Sequence, residues 1–188
     1  MAEHVVCPWW MGCFLASPLR KLLQNPIQIL APYVRVGMTV LEPGPGMGFF
    51  SLEIARMVGP SGRVIALDAQ PRMIEGLKRR ARNAGLLDRI DARATPTASM
   101  ALDGLDGTVD FTFAFAVVHE MPSAAQFFAE AARAMKDDSR LLLAEPTGHV
   151  SEQEFAQQLT VAQATGLRVI DRPTMNRCMA ALLLKTCH

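Results

Sequence analysis

The stretch VLEPGPGMGFFS, residues 40–51, joins an apolar run to a loop with glycine at every second position. The glycines are Gly44, Gly46 and Gly48. One carboxylate, Glu42, precedes them, and the stretch contains no lysine or arginine. Glycine lets a backbone turn tightly and approach a ligand closely. The stretch therefore predicts a buried strand, a ligand-binding loop and a helix that begins around Phe49.

Apolar segments and helix breakers alternate along the rest of the chain. Strand-like runs such as GRVIALDA (62–69) and VDFTFAFAVV (109–118) alternate with helical patterns such as QPRMIEGLKRRARNAG (70–85). The last two apolar runs, 167–173 and 177–186, have no helix between them. This order predicts a doubly wound α/β fold, with a mostly parallel seven-stranded sheet, an antiparallel last strand and helices on both faces. Such sheets bind ligands beyond the carboxyl ends of their strands, where the glycine loop lies.

Two serines mark the starts of predicted helices. Ser123 precedes Gln126, and Ser151 precedes Glu154, with the three-residue spacing of a capping box. In that motif each of the two residues hydrogen-bonds the backbone N–H of the other. We therefore expect a helix after each serine.

Three classes of nucleotide ligand are compatible with a glycine-rich loop. A P-loop ends in Gly-Lys-Ser/Thr, whereas phenylalanines follow Gly48. A dinucleotide fingerprint needs G-x-G-x-x-G, which this spacing does not supply, and Glu42 would repel a pyrophosphate. S-adenosylmethionine has no phosphate, and Glu42 would attract its cationic sulfonium and amino groups. Its carboxylate would lie near the N-terminus of the following helix, so the stretch favours this third ligand.

A second acidic residue supports the same ligand. Asp68 ends the second predicted strand, 20 residues after Gly48. An acid at this spacing binds ribose hydroxyls in such folds. The alternative is that Asp68 only caps the next helix. The glycine loop upstream favours the ribose role.

These segments resemble a known family. VLEPGPGMG is similar to the E/D-x-G-x-G-x-G signature of class I S-adenosylmethionine-dependent methyltransferases, and the similarity covers roughly residues 32–185. It implies that Glu42 and the three glycines line the methionine half of the cofactor and that Asp68 binds the ribose. It also implies further cofactor contacts, from Ala69 on the adenine and from Ala114 and Phe115 at the end of the fourth strand. Many members carry an acid after the third strand, where this chain has ARATPT, so Thr95 or a backbone carbonyl would bind the adenine.

Methyl transfer from a sulfonium is an in-line displacement that needs alignment, exclusion of water and, for weak nucleophiles, a base. His119 and Glu120, which follow the fourth strand in VVHEMPS, are the candidate catalytic residues. The alternative for His119 is to cap the next helix or to form a wall of the cofactor pocket.

The first 31 residues are predicted to form a lid or helical segment ahead of a single globular domain, residues 32–188. Three aromatic side chains of the segment would close over the acceptor or, alternatively, pack on the sheet. They are Trp9, Trp10 and Phe14. His4, Cys7 and Cys13 do not have the spacing of a standard zinc site, so we expect no metal.

The composition of the chain limits the classes of partner that we expect it to bind. A net charge of +1 gives no long-range attraction to nucleic acid or to an anionic membrane, and the basic run KRRAR (78–82) is expected to be a solvated helix face. Cysteine usage and the shortness of the apolar runs indicate the cytoplasm.

We predict methyl transfer to a small molecule. The alternatives are methylation of RNA or protein and cofactor binding without turnover; nothing in the sequence sets an oligomeric state.

Overall fold

The structure, a computed structural model, describes residues 24–186 and contains seven strands within them. The strands are β1 (Thr39–Pro43), β2 (Arg63–Asp68), β3 (Ile90–Ala94), β4 (Val109–Phe115), β5 (Met135–Pro146), β6 (Leu167–Asp171) and β7 (Cys178–Lys185). They form one sheet in the order β3-β2-β1-β4-β5-β7-β6. The predicted fold class, a mostly parallel seven-stranded α/β sheet, is confirmed.

Helices occupy most of the connections between these strands. The α-helices are α1 (Pro26–Leu30), α2 (Ser51–Val58), α3 (Pro71–Asn83), α4 (Ala124–Ala134) and α5 (Glu152–Ala164). Short 3₁₀ turns cover Leu87–Arg89 and Val118–Glu120. No helix among residues 24–186 is long and apolar enough to cross a membrane.

Chain contacts divide the protein into two compact units, whose described parts are residues 24–95 and 96–186. The first unit holds three parallel strands, with Val40 paired to Val64 and Val64 to Ile90. β1 and β2 are buried along nearly their whole length, as expected of parallel strands covered by helices, whereas β3 alternates buried and half-buried residues. Fully buried side chains from its strands and helices make its core, among them Leu41, Ile54, Ile65 and Leu77.

The second unit contains both kinds of strand pairing. β4 and β5 are parallel, with Phe113 opposite Leu142. β7 pairs antiparallel with β5 on one side and with β6 on the other. The predicted antiparallel pairing of the last two strands is therefore confirmed. The core of this unit is aromatic and aliphatic, and its largest fully buried side chains include Phe111, Phe113, Phe128 and Met135.

The predicted helix starts differ in how fully they form. At α5 the Ser151 Oγ accepts from the Glu154 N–H at 3.2 Å, and the Glu154 carboxylate accepts from the Ser151 N–H at 2.8 Å, so the capping box is complete. At α4 the Ser123 Oγ accepts from the Gln126 N–H at 3.2 Å. The Gln126 amide donates instead to the Ala98 carbonyl oxygen, at 2.5 Å, so only half of that box forms.

Candidate functional site

The glycine loop turns through left-handed backbone conformations at each of its three glycines. Their φ angles are +67° at Gly44, +54° at Gly46 and +83° at Gly48. The Gly44 N–H donates to the Leu67 carbonyl oxygen at 2.8 Å, which ties the loop to the end of β2. Residues with a Cβ are strained in this conformation, which explains the glycine spacing. It also explains why α2 begins at Ser51, two residues later than the predicted start.

Two of these glycines face different surroundings. A Cβ at Gly48 would lie 2.3 Å from Leu77 Cδ1, on α3, whereas a Cβ at Gly46 would meet no atom within 4 Å. Gly48 is therefore required for close packing of the loop on α3. Gly46 exposes its backbone to open space, which suits close approach of a ligand.

Helix α3 supports the loop through polar and steric contacts. The Arg80 Nη1 donates to the Met47 carbonyl oxygen at 2.5 Å. A Cβ on Gly76 would lie 2.9 Å from Met47 Cγ, so the glycine makes room for this side chain. Burial, reinforced by the charge of Arg56, lowers the pKa of the Arg80 guanidinium. Arg80 thus departs from the expectation that the whole basic run is a solvated face.

Glu42, at the end of β1, is buried, with 3% of its surface exposed. Its Oε2 has no hydrogen-bond partner, and the nearby Ser51 hydroxyl does not reach hydrogen-bond geometry with it. Burial raises the pKa of Glu42 to about 7; the Ser51 hydroxyl opposes this rise and the charge of Asp68 adds to it. A buried carboxyl oxygen without a donor is a site for a cationic or hydrogen-bond-donating ligand.

Asp68, at the end of β2, is half-buried beside the loop. Its Oδ1 accepts from the Gln70 N–H at 2.8 Å. Burial raises the pKa of Asp68, while hydrogen bonds from the Gln70 and Gly46 N–H groups oppose the rise. Asp68 therefore contacts the N-cap residue of α3, Gln70, whose own side chain makes no capping hydrogen bond. The Thr95 N–H donates to the Asp68 carbonyl oxygen at 3.0 Å, which brings Thr95 next to Asp68.

The first unit therefore brings together most of the residues expected to bind the cofactor. They are Glu42, Gly44, Gly46, Gly48, Asp68 and Thr95. Ala69, which follows Asp68, is exposed. In the second unit Ala114 and Phe115 are buried at the end of β4, and Ala116 follows with a left-handed φ of +53°. These features fit S-adenosylmethionine, because the unpartnered carboxyl oxygen and the open glycine backbone suit a cation without phosphate.

His119, in the 3₁₀ turn after β4, lies against a carboxylate of β5. Its Nδ1 is 2.6 Å from Glu145 Oε2. The Glu145 Oε1 accepts from the backbone N–H groups of Val118, at 2.9 Å, and His119, at 3.2 Å. The Glu145 hydrogen bond, partly opposed by burial, raises the pKa of the His119 imidazole, and the charges of Glu120 and Glu154 raise it further.

Glu145 is the residue of this cluster that sequence reasoning missed. It belongs to the run LLLAEP, residues 141–146, at the end of β5. It is fully buried. A single carboxylate at the end of this apolar run is the available signal, because buried carboxylates require partners.

Several predicted residues lie outside residues 24–186. The aromatic lid candidates Trp9, Trp10 and Phe14 belong to this group, as do His4, Cys7 and Cys13. Within the part of the chain that the structure describes, no three histidine, cysteine or acidic side chains converge to hold a metal ion.

Comparison with known proteins identifies the family. A family model described as a methyltransferase domain matches residues 35–178. The chain belongs to this family. The predicted membership of a methyltransferase family is confirmed.

Two further proteins are similar to the chain in sequence. An uncharacterised 37.1 kDa protein of a Streptomyces fradiae transposon is 32% identical over 142 residues, covering 76% of this chain and 39% of that protein. A catechol O-methyltransferase of Mycobacterium tuberculosis is 34% identical over 74 residues, covering 39% of this chain and 34% of that protein. The chain thus spans little more than a third of either relative.

The fold agrees with a solved structure of the same kind. A SAM-dependent methyltransferase from Aquifex aeolicus superposes with a TM-score of 0.86 at 24% identity. The match covers 96% of this chain and 100% of that one. At this identity the similarity supports the fold and not a particular substrate.

Proposed function

We propose that this methyltransferase domain binds S-adenosylmethionine on the glycine loop and transfers its methyl group to a small molecule. The observation that carries the proposal is the buried Glu42 carboxyl, whose Oε2 has no partner beside a loop of open glycine backbone. Glu42 would face the cationic methionine half, Asp68 would bind the ribose hydroxyls, and the loop glycines would let the cofactor approach the backbone.

The adenine and acceptor assignments are part of the same proposal. Thr95, next to Asp68, and Ala69 would border the adenine, and Ala114 and Phe115 would contribute apolar surface to the cofactor. The bound cofactor supplies an activated methyl group on a sulfonium. The chain's own residues orient the reactants and exclude water. His119 would accept the acceptor proton, with Glu120 adding negative charge nearby.

Three observations support a small acceptor over RNA. The net charge of +1 provides no electrostatic attraction to a polyanion. Within the basic run, Arg80 is already engaged with the Met47 carbonyl oxygen. The catechol O-methyltransferase relative acts, by its name, on a small phenol.

The cytoplasmic location, the lid of Trp9, Trp10 and Phe14, and the domain boundary at residue 32 stay predictions from the sequence.

Calorimetry with S-adenosylhomocysteine tests the cofactor assignment. The wild type is expected to bind, and Glu42→Gln to bind about 10 to 100 times more weakly, because it loses a charged hydrogen bond. Asp68→Ala is expected to weaken binding about tenfold. Glu75→Gln and Asp88→Asn remove exposed acids and serve as matched controls. Absence of binding by the wild type, or unchanged binding by both site variants, would contradict the assignment.

A transfer assay tests the acceptor class. Cofactor labelled in its methyl group is incubated with the protein and with catechol, total RNA or a protein mixture in parallel. We expect label in catechol and none in the polymers. Labelled RNA or protein without labelled catechol would overturn the small-molecule proposal and leave the cofactor assignment intact.

A further inference from the structure

The carboxylate of Glu145 is completely enclosed by donors from residues 118 and 119. Oε1 accepts two backbone N–H groups, and Oε2 lies 2.6 Å from His119 Nδ1. The Glu145 side chain has no exposed surface, whereas 18% of the His119 side chain is exposed. One buried residue therefore fixes both the backbone turn and the orientation of the imidazole.

This arrangement determines which ring nitrogen of His119 is free. The Glu145 carboxylate can only accept hydrogen bonds, and it takes two at Oε1 from the Val118 and His119 N–H groups and faces Nδ1 with Oε2. Nδ1 must therefore carry a hydrogen. In neutral His119 the lone pair is on Nε2, which is the state of a general base.

The chain also holds this turn in a strained conformation. Ala116, three residues before His119, has a φ of +53°, a conformation unfavourable for a residue with a Cβ. Its N–H donates to the Ala144 carbonyl oxygen at 2.8 Å, beside Glu145 in the chain. Strained residues persist where the surrounding structure fixes them, and they concentrate at functional sites.

We propose that Glu145 is the positioning residue that holds His119 as the base for a hydroxyl acceptor, an inference that rests on the proposed methyl transfer. The acceptor O–H proton moves to His119 Nε2 as the oxygen–carbon bond forms. The sulfur–carbon bond breaks and its electron pair stays on sulfur. The positive charge thereby passes from sulfur to the imidazolium beside the Glu145 carboxylate, and the proton then leaves to solvent from the partly exposed His119 side chain.

A hydroxyl is the acceptor that most needs such a base. A phenol, like tyrosine, has a pKa of about 10 and is almost entirely protonated at neutral pH. A thiol, with a pKa of about 8.5, supplies thiolate without help. A neutral amine attacks with its own lone pair and loses its proton afterwards. A fixed imidazole base is therefore selective for hydroxyl groups.

Glu145→Gln separates the positioning role from a merely structural one. The carboxamide oxygen can still accept from the Val118 and His119 N–H groups, so the turn is preserved. The NH₂ group then faces His119 Nδ1 and donates to it, which places the imidazole hydrogen on Nε2. A structural role predicts wild-type behaviour for this variant. A positioning role predicts that Nε2 of His119 already carries a hydrogen and cannot take the proton of the acceptor.

Histidine NMR of the protein without ligands gives a readout that needs no turnover. Long-range ¹H–¹⁵N spectra, assigned with His119→Gln, are expected to show Nδ1–H in the wild type and Nε2–H in Glu145→Gln. The pKa of His119 should be lower in Glu145→Gln, because the charges of Glu120 and Glu154 remain while that of Glu145 is lost. Glu152→Gln, at an exposed glutamate of α5, is the matched control and should resemble the wild type. An unchanged tautomer in Glu145→Gln overturns the proposal.

Turnover of catechol and thiophenol tests the acceptor class. For catechol, Glu145→Gln is expected to lower kcat about 100-fold with little change in KM, and for thiophenol to lower it less than about threefold. Equal losses on both probes, or wild-type protein that methylates no phenol, would overturn the hydroxyl assignment. If the wild type fails to bind S-adenosylhomocysteine, the proposed function itself is wrong. If the wild type binds it and the results above are still negative, only the inference about Glu145 is wrong.

Discussion

The dipeptide Glu-Pro ends two strands of this protein, and the two glutamates have opposite environments. Glu42-Pro43 closes β1 and Glu145-Pro146 closes β5. Both carboxyls are buried. Oε2 of Glu42 has no partner, whereas both oxygens of Glu145 are hydrogen-bonded within the chain. Equal burial therefore does not mean equal surroundings: Glu42 lacks a hydrogen-bond partner on Oε2, whereas Glu145 accepts hydrogen bonds from the turn beside it.

The difference follows from what comes after each strand. Behind Glu42 the chain enters a glycine loop whose N–H groups do not reach its Oε2. Opposite Glu145 the 3₁₀ turn presents two backbone N–H groups and an imidazole. Burying a carboxyl without donors costs stability, and a binding site can retain that cost because the ligand later supplies the missing partner.

The largest expected effect is a difference in stability between the two alanine variants. Glu145→Ala leaves two buried N–H groups without an acceptor and should lower the free energy of unfolding by about 3–5 kcal/mol. Glu42→Ala removes a carboxyl that lacks a partner on Oε2, so the cavity and the relieved charge should cancel to within about 1 kcal/mol. Urea unfolding at pH 7 measures both. Equal losses would show that the two sites are built alike.

A second prediction concerns the pH dependence that Glu42 causes. Its pKa is raised from 4.5 to about 7 in the folded protein, so the folded state binds more protons between these values. The contribution of Glu42 to the free energy of unfolding is therefore largest below pH 4.5 and falls by up to about 3 kcal/mol as the pH rises through about 7. Glu42→Gln should abolish most of this slope and be more stable than the wild type at pH 7.

Thermal or urea unfolding between pH 4 and pH 8 makes this measurement. Asp68, whose pKa is also raised, leaves a residual slope of the same sign in Glu42→Gln. Glu75→Gln, at an exposed glutamate of α3, should keep the wild-type slope. A Glu42→Gln profile parallel to that of the wild type would mean that Glu42 titrates normally.

The same comparison shows which features the sequence could predict. Glu42 was recognised because three glycines at fixed spacing follow it, and the order of the elements predicted the sheet. Glu145 carries no local motif, because its partners lie 26 and 27 residues away in the chain. The sequence likewise predicts Arg80 in solvent. Its hydrogen bond to the Met47 carbonyl oxygen joins residues 33 positions apart in the chain, so no local pattern indicates it. Contacts at such separations depend on the packed fold, which local patterns do not specify.

The smallest expected effects come from Gly46→Ala and Gly48→Ala. They separate a glycine that leaves room for a ligand from one that allows close packing on α3. Gly46→Ala should cost about 1 kcal/mol from its positive φ alone, because its Cβ meets open space. Gly48→Ala adds a clash with buried Leu77, and its cost should reach about 2–3 kcal/mol. Binding should show the reverse order: Gly46→Ala should weaken S-adenosylhomocysteine more than Gly48→Ala does, measured by calorimetry on folded protein. If Gly46→Ala leaves that affinity unchanged, the open space at Gly46 does not receive the cofactor, and the unpartnered oxygen of Glu42 must serve another ligand.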